Sequence, residues 1–297
     1  MSRILKLPNF FIVGAPKAGT TSLYAYLGQH PQIYMSPIKE PSYFAPEQCR
    51  ENFIFSWEDY LKLFSGVSDE IAIGEATATY LWSETAARNI AARLPNARII
   101  INLRNPVDRA FSQYLHMLTA GATRKSFREQ IESSLRCRNE EFGLLWPFLE
   151  LGKYHAQVTR YFGEFPRSQI HISYYEDLER APAQLVADLF AFLGVDTGFG
   201  ADISHHHNEP RVPRLRSLGH FLKNSAAWRY LRKLVPLQLG PRAQSLLMRS
   251  RRSLKIEPTD RMFLTDYYRD DIRQLSLLLG RDLSPWLDSG HNNIVIS

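Results

Sequence analysis

Residues 14–22, which read Gly-Ala-Pro-Lys-Ala-Gly-Thr-Thr-Ser, constrain the fold of this 297-residue chain more than any other stretch. An apolar run at residues 10–13 leads into them, and a helical pattern through Leu23 and Leu27 follows. A strand that passes through a glycine turn into a helix is typical of the opening of an α/β nucleotide-binding domain. The N–H groups of such a turn and the positive end of the helix dipole together favour an anion. The stretch therefore predicts a phosphate-binding loop.

This loop differs from the G-x-x-x-x-G-K-[ST] loop of ATP and GTP enzymes in the position of its lysine. Lys17 lies inside the loop, and Thr20 follows the second glycine where lysine would stand. The later apolar run at residues 97–103 ends in Arg104, whereas Mg²⁺-dependent phosphoryl transfer needs an acid near this place. The arginine indicates a second phosphate site and disfavours a P-loop-like nucleotide kinase, which stays as an alternative. Read alone, the loop is also compatible with a tight turn whose lysine is merely solvated.

The order of the apolar runs predicts the fold class. Runs at residues 10–13, 97–103 and 169–174 alternate with helical patterns, which indicates an α/β, P-loop-type three-layer domain with a central parallel sheet flanked by helices. We expect residues 1–297 to form a single domain of this kind.

Helix boundaries are indicated at two places. Asn105 is a suitable N-cap, Pro106 suits the first helical position, and Gly121 ends the pattern. The last long helix is expected over residues 258–279, with Thr259 as its cap and with Phe263, Tyr267, Leu275 and Leu278 facing inward.

Two segments together carry a family resemblance. The P-K-A-G-T-T-S-L stretch from Pro16 and the R-N-P-V-D-R-A-F-S stretch from Arg104 resemble the sulfotransferases that use 3′-phosphoadenosine 5′-phosphosulfate (PAPS). The Y-E-D-L stretch from Tyr175, the F-L-G-V stretch from Phe192 and the end of the chain up to Trp286 match as well. The resemblance is nearest to the bacterial and carbohydrate members of the heparan sulfate type. It implies an enzyme of the EC 2.8.2 type that moves the sulfuryl group of PAPS to a hydroxyl or amine of a carbohydrate or small-molecule acceptor.

The resemblance also implies roles for individual residues. The 5′-phosphosulfate would be held by Lys17, Ala18, Gly19, Thr20, Thr21 and Ser22, and Lys17 would offset charge on the bridging oxygen as the S–O bond breaks. Arg104 and Ser112 would hold the 3′-phosphate. A late basic loop containing Arg211 and Arg214 falls where the family covers the nucleotide.

The acceptor must lose a proton as it attacks sulfur, so a general base is required. The stretch Lys39-Glu40-Pro41-Ser42-Tyr43-Phe44 resembles the heparan sulfate type, in which glutamate is the base, and this makes Glu40 the first candidate. A surface ion pair between Glu40 and Lys39 is the alternative interpretation.

His116 is the competing base, because it lies one helical turn past Ser112 on the same face. A histidine that merely bonds nearby backbone is the alternative there. The resemblance assigns Glu75, Thr77 and Tyr80, together with Lys39, to acceptor binding.

Charge is distributed unevenly along the chain. The net charge is +6, yet residues 211–255 hold 12 Lys and Arg and no acidic residue, so the remainder is net acidic. Apolar residues at helical spacing within 218–255 predict a basic helical segment over 211–255 that caps the active site. Docking of 218–255 onto an anionic acceptor or peripherally onto a membrane is an alternative to simple packing on the domain. A polyanion- or membrane-binding protein is accordingly a second alternative function, while the acidic remainder argues against nucleic acid as a partner.

The sequence predicts neither a metal site nor secretion of the protein. Cys49 and Cys137 have no neighbours at metal-ligand spacing, and the consecutive residues His205, His206 and His207 do not converge on one ion in a helix or strand. Two cysteines, with no apolar run long enough for a signal peptide or a membrane span, indicate a cytoplasmic protein. The acceptor's identity, O- versus N-sulfation and the oligomeric state stay open.

Overall fold

The computed structural model describes residues 6–48, 54, 56–136, 147–204 and 254–288, together with two short strands at Arg211–Pro213 and Met248–Ser250. The core of this part is a parallel sheet of five strands. They are β1 (Phe10–Gly14), β2 (Ile33–Met35), β3 (Ala72–Ala76), β4 (Arg98–Leu103) and β5 (Ile170–Tyr174). Their order is β2-β3-β1-β4-β5, and every neighbouring pair is parallel.

This order decides where a site can form. The chain leaves β1 towards β2 and β3 on one side, and β4 and β5 then lie on the other side of β1. The carboxyl ends of all five strands meet at one edge, and in such sheets ligands bind where the strand order reverses. The loops after Gly14, Ala76 and Leu103 converge there.

Helices cover both faces of the sheet. They are α1 (Thr20–Leu27), α2 (Trp57–Lys62), α3 (Ala86–Arg93), α4 (Pro106–Ala120), α5 (Phe127–Arg136), α6 (Tyr154–Glu164), α7 (Tyr175–Arg180), α8 (Pro182–Leu193) and α9 (Pro258–Leu279). One apolar cluster joins the sheet to α3, α4, α6 and α9, and a second joins it to α1 and α8. The prediction of a three-layer α/β domain with a central parallel sheet is confirmed.

Helix α4 forms as the sequence predicts. The Asn105 side chain accepts a hydrogen bond of 2.9 Å from the Val107 N–H, and Pro106 is the first helical residue. Gly121 ends the helix in the left-handed region, with a φ of 73°. The cap satisfies one of the N–H groups that have no partner within a helix.

Helix α9 has the predicted bounds but a different buried face. Leu264, Tyr268, Ile272 and Leu275 are buried, whereas Phe263 is 39% exposed. The N-cap is Glu257 and not Thr259, because Pro258 already occupies the first helical position. Of the predicted inward residues, Leu275 is buried and Tyr267 and Leu278 are partly buried against the core, so the prediction is confirmed in part and the fully buried face is centred about one residue away.

The expectation of a helical segment over residues 211–255 is wrong for the parts that the structure describes. Strands β6 (Arg211–Pro213) and β7 (Met248–Ser250) form an antiparallel pair in which Val212 lies opposite Arg249. Val212 is β-branched and Pro213 lacks an N–H group, and both disfavour a helix interior. Residues 214–247, with most of the predicted basic helix, lie outside the described residues.

Among the helices of the described ranges, none combines the length and the apolar character that crossing a bilayer requires.

Candidate functional site

The loop after β1 is built to present backbone groups at the carboxyl edge of the sheet. The Ala15 N–H donates to the Asn102 carbonyl of β4 at 2.8 Å, and the Ala18 N–H donates to the Ala15 carbonyl at 3.1 Å. Lys17 lies between them with a φ of 69°. The side-chain amide of Asn102 donates to the Ala18 carbonyl and so holds the loop from below. The predicted phosphate-binding residues Lys17, Ala18, Gly19, Thr20 and Thr21 thus form one continuous turn into α1.

The N-terminus of α1 has no side-chain cap. Gly19 occupies the N-cap position with a φ of 85°, and no side chain accepts from the first helical N–H groups. This contrasts with α4, where Asn105 fills that role. An uncapped, partly buried helix N-terminus that follows a glycine turn suits an anion.

Only glycine fits at position 19. A Cβ there would lie 2.5 Å from Cδ2 of Leu178 and 3.2 Å from the Tyr175 ring, and the left-handed backbone adds strain for any other residue. The loop therefore packs directly on α7, and this close contact fixes the position of the loop relative to the sheet.

Ser22 is placed differently from the loop's other hydroxyl residues. Its side chain is buried and makes a hydrogen bond with the Tyr26 phenol one helical turn later. The structure therefore gives the Ser22 hydroxyl a partner within α1.

Arg104 links the two predicted anion loops. Its Nη1 atom donates to the Lys17 carbonyl at 3.0 Å, and its guanidinium stacks on the Tyr175 ring, with Cζ 4.0 Å from the ring centroid. A stacked guanidinium with one N–H fixed by a carbonyl is held in a single orientation. The positive charge expected for a second phosphate thus lies directly beside the first loop.

Ser112 and His116 lie on α4, one turn apart. Ser112 is buried, whereas His116 keeps part of its surface exposed to solvent. Strand β6, which contains Arg211, lies against α4, whereas Arg214 falls outside the described residues.

Glu40 lies on a loop that crosses the end of β3. Its N–H donates to the Ala76 carbonyl at 2.9 Å, and its carboxylate forms an ion pair of 2.9 Å with Lys39. The Glu40 side chain is 46% exposed, so this surface pair stabilises the fold by little. The ion pair that the sequence analysis gave as an alternative exists, and it leaves the carboxylate open to solvent at the sheet edge.

Three side chains from three different elements share this space. Partial burial and the Lys17 ammonium lower the pKa of His116, while the Glu40 carboxylate raises it. The loop after β1, the loop after β2 and α4 therefore bring Lys17, Glu40 and His116 into one electrostatic neighbourhood. A lowered pKa favours the neutral imidazole, which can accept a proton.

Backbone strain is concentrated at the same edge. In the ranges that the structure describes, the non-glycine residues with positive φ are Lys17 (69°), Glu40 (62°) and Ser42 (59°). The left-handed region is unfavourable for residues with a Cβ, and such strain is held where the surroundings demand it. Two of these residues have an expected role in the reaction, Lys17 at the bridging oxygen and Glu40 as the first candidate for the base.

Glu75, Thr77 and Tyr80 are buried beneath this edge. Their exposures are 0%, 1% and 0%, and both Tyr80 and Thr77 donate hydrogen bonds to the Glu75 carboxylate, at 3.1 and 2.7 Å. Tyr60 donates a third, at 2.9 Å. The resemblance assigned these residues to acceptor binding, and in the structure their polar atoms face one another inside the protein.

Burial raises the pKa of Glu75 to about 7. The three hydroxyl donors lower the pKa, and the negative charge of nearby Glu40 raises it further. A buried carboxyl whose pKa is strongly raised is a candidate for a functional role.

Sequence reasoning missed two residues that shape the site. Asn102 interrupts the apolar run of β4, and besides holding Ala18 it accepts a 2.7 Å hydrogen bond from the Ser173 hydroxyl. Its polar side chain in a buried strand was the available signal. Tyr175 was noted as part of a motif, but its stacking on Arg104 needs the register between β4 and β5.

No group of three or more His, Cys, Asp and Glu side chains within the described ranges is arranged to hold a metal ion.

Comparison with known proteins gives consistent matches. Residues 7–208 match the family model of the sulfotransferase domain. The bifunctional heparan sulfate N-deacetylase/N-sulfotransferase 3 of Homo sapiens is 30% identical over 296 residues, and the human N-deacetylase/N-sulfotransferase 2 is 30% identical over 297 residues. Each match covers 95% of this chain and 31% of the relative, so the chain spans about a third of the length of these curated relatives.

A solved structure matches over nearly the whole chain. The crystal structure of a sulfotransferase from Alicyclobacillus acidocaldarius superimposes with a TM-score of 0.75 and 34% identity, over 95% of this chain and 100% of that chain.

Proposed function

The chain belongs to the sulfotransferase domain family, and from that premise we propose that it transfers the sulfuryl group of PAPS to a hydroxyl or amine of a carbohydrate or small-molecule acceptor. The observation that supports this most is the hydrogen bond of 3.0 Å between Arg104 and the Lys17 carbonyl. It joins two anion-binding loops at one sheet edge, as a nucleotide with phosphates at both its 3′ and 5′ positions requires.

The residues of the site fit such a nucleotide. The uncapped N-terminus of α1 and the Lys17 ammonium offer N–H groups and positive charge to the 5′-phosphosulfate. Arg104 and Ser112 are assigned to the 3′-phosphate, and Arg211 and Arg214 are assigned to cover the nucleotide. No acid lies at the end of β4, where Mg²⁺-dependent phosphoryl transfer uses one.

In the proposed reaction, the acceptor oxygen or nitrogen bonds to sulfur as the bond between sulfur and the 5′-phosphate oxygen breaks. The acceptor's proton passes to the Glu40 carboxylate, and 3′-phosphoadenosine 5′-phosphate (PAP) leaves. Lys17 offsets the negative charge that grows on the bridging oxygen, which is stabilisation at the place where charge develops.

His116 is the second candidate for the base. Its lowered pKa keeps it neutral and able to accept a proton, and it shares the neighbourhood of Lys17 and Glu40. We assign the base to Glu40, because its loop is fixed to the sheet edge through the Ala76 carbonyl.

The acceptor class is a further proposal. The relatives at 30% identity are named as heparan sulfate N-sulfotransferases. We propose a carbohydrate acceptor, with the amine or a hydroxyl of a glucosamine unit as the first group to test.

Ligand-dependent melting tests the nucleotide assignment. We expect PAP to raise the melting temperature of the protein and ATP to leave it nearly unchanged, because only PAP places phosphates at both loops. An Arg104→Gln variant should lose most of the PAP response, while Arg88→Gln, an exposed arginine on α3, should keep it. Stabilisation by ATP equal to that by PAP would instead support the kinase alternative.

A further inference from the structure

The buried carboxyl of Glu75 organises a set of hydroxyl groups below the loop that contains Glu40. Its Oε1 atom accepts from Tyr60 at 2.9 Å and from Tyr80 at 3.1 Å, and its Oε2 atom accepts from Thr77 at 2.7 Å. All of these groups are buried. The ionised carboxylate, which predominates above a pH of about 7, is only an acceptor, so in that form each of the three hydroxyls points its hydrogen towards Glu75.

The fixed direction of these hydroxyls has a consequence on their other side. The Tyr80 oxygen, with its hydrogen committed to Glu75, accepts a 3.1 Å hydrogen bond from the Phe44 N–H. The Thr77 oxygen in the same way faces the Ser42 N–H at 3.5 Å. The Ser42 and Phe44 N–H groups, in the loop that follows Glu40, therefore donate to hydroxyl oxygens that Glu75 orients.

The loop needs this support, because its backbone is strained. Glu40 and Ser42 both have positive φ, at 62° and 59°. The Glu40 N–H is fixed to the Ala76 carbonyl at one end of the loop, and the Phe44 N–H is fixed to Tyr80 at the other. Asn89 holds the Phe44 carbonyl and the Phe44 ring is buried, so losing the Tyr80 bond does not release the whole segment. It removes one of the contacts that keep the strained backbone in place and so allows the Glu40 side chain to shift.

We propose that Glu75 is a positioning residue, which acts through Thr77 and Tyr80 to hold the strained loop at residues 40–44 and thereby sets where the Glu40 carboxylate stands. This inference rests on the proposed sulfuryl transfer, since Glu40 is the proton acceptor only in that reaction. It replaces direct contact between Glu75 and the acceptor with an indirect role through the loop. It also gives a reason for burying a carboxyl here among hydroxyl groups.

Hydroxyl-deletion variants separate positioning from general stability. Tyr80→Phe and Thr77→Val each remove one hydroxyl at nearly constant shape and break one attachment to the loop. We expect both to reduce kcat for label transfer from PAPS to an oligosaccharide with unsubstituted glucosamine, by on the order of ten- to a hundredfold. The Kd for PAP should stay within about twofold, because neither attachment touches the two anion loops. Thr77→Ser, which keeps the hydroxyl, should restore most of kcat.

Two further tyrosine variants provide the comparison. Tyr268→Phe removes an equally buried hydroxyl that donates to the Leu149 carbonyl at 2.9 Å, remote from the loop, and should keep wild-type kcat despite a similar loss of stability. Tyr60→Phe removes a donor to Glu75 without breaking an attachment to the loop, and should lose less kcat than Tyr80→Phe. Equal kcat values for Tyr80→Phe and Tyr268→Phe would overturn the proposal.

Amide hydrogen exchange tests the inference without any acceptor. We expect the Phe44 N–H to exchange faster in Tyr80→Phe than in the wild type and to be unchanged in Tyr268→Phe. Unchanged exchange of the Phe44 N–H in Tyr80→Phe would overturn the inference whatever the acceptor is. If the wild type transfers label to no acceptor while the exchange result holds, the proposed function fails and the loop attachment stands.

Discussion

At the scale of single residues, the site is distinguished by unfavourable conformations and unfavourable burial. Lys17 and Glu40 occupy the left-handed region, and Glu75 is a carboxyl with no exposed surface. Each feature costs free energy that the rest of the fold must supply. The residue types could be read from the sequence, because an anion loop and a proton acceptor need a lysine and a carboxylate.

The burial of Glu75 has a measurable effect on stability. Its pKa in the folded protein is raised from 4.5 to about 7, so the folded protein binds this proton more tightly than the unfolded chain does. Stability from this group should therefore fall as the pH rises from 4.5 to about 7, by up to roughly 3 kcal/mol. Urea unfolding of the wild type and of Glu75→Gln at pH 5 and pH 8 measures this component.

The wild type should lose more unfolding free energy between these two pH values than Glu75→Gln does. Glu58→Gln, which changes an exposed carboxylate in the first turn of α2, should keep the wild-type pH dependence. The same pH dependence in the wild type and in Glu75→Gln would show that Glu75 does not titrate in this range.

At this scale, the sequence could not show whether a given polar side chain faces solvent or the protein interior. The family resemblance assigned Glu75, Thr77 and Tyr80 to acceptor binding. Tyr60, which lies on α2 and was not part of any motif, donates a third hydrogen bond to Glu75. A polar group can be buried without a large loss of stability only where hydrogen-bond partners are present. Whether they are present depends on the tertiary structure.

At the scale of elements, the site depends on a close contact between the loop after β1 and α7. A Gly19→Ala change places a Cβ 2.5 Å from the buried Leu178 side chain at a φ of 85°. We expect a loss of about 1–3 kcal/mol of unfolding free energy together with weaker PAP binding, because the loop must rise or α7 must shift. Urea unfolding and calorimetric titration with PAP measure the two effects.

Gly163→Ala is the matched control within a helix. Gly163 lies in α6, and a Cβ there meets nothing within 4 Å. This change should stabilise the protein by about 0.5–1 kcal/mol and leave PAP affinity unchanged. Equal destabilisation by both changes, or wild-type PAP affinity in Gly19→Ala, would contradict the close-contact argument.

Sequence patterns predicted some elements better than others, for local reasons. Asn105 and Pro106 mark the beginning of helix α4 and Gly121 marks its end, so the bounds of this helix could be predicted from the sequence. Strands β2 and β3 were missed, because Ile33–Met35 is only three residues long and Ala72–Ala76 contains Gly74 and Glu75. The inward face of α9 was predicted only in part, because apolar residues occur on more than one side of that helix and the most deeply buried ones include Leu264, Tyr268 and Ile272.

At the scale of the whole molecule, strand order brings together residues that are far apart in sequence. The order β2-β3-β1-β4-β5 places the loops that contain Lys17, Glu40 and Arg104 at one edge. The family resemblance supplied the roles of these residues, and the sheet explains how they meet. The uneven charge belongs to this scale as well, since β6 returns the start of the basic tract to α4 beside the site.

Transfer of labelled sulfuryl from PAPS by the wild type and by Glu40→Gln tests the central claim most directly. The assay uses an oligosaccharide with unsubstituted glucosamine as acceptor and contains EDTA, with Glu58→Gln as the control carboxylate variant. We expect metal-independent transfer by the wild type and by Glu58→Gln, and a loss of about a hundredfold or more in Glu40→Gln with PAP affinity retained. Wild-type turnover in Glu40→Gln, or transfer that requires Mg²⁺, would contradict the account.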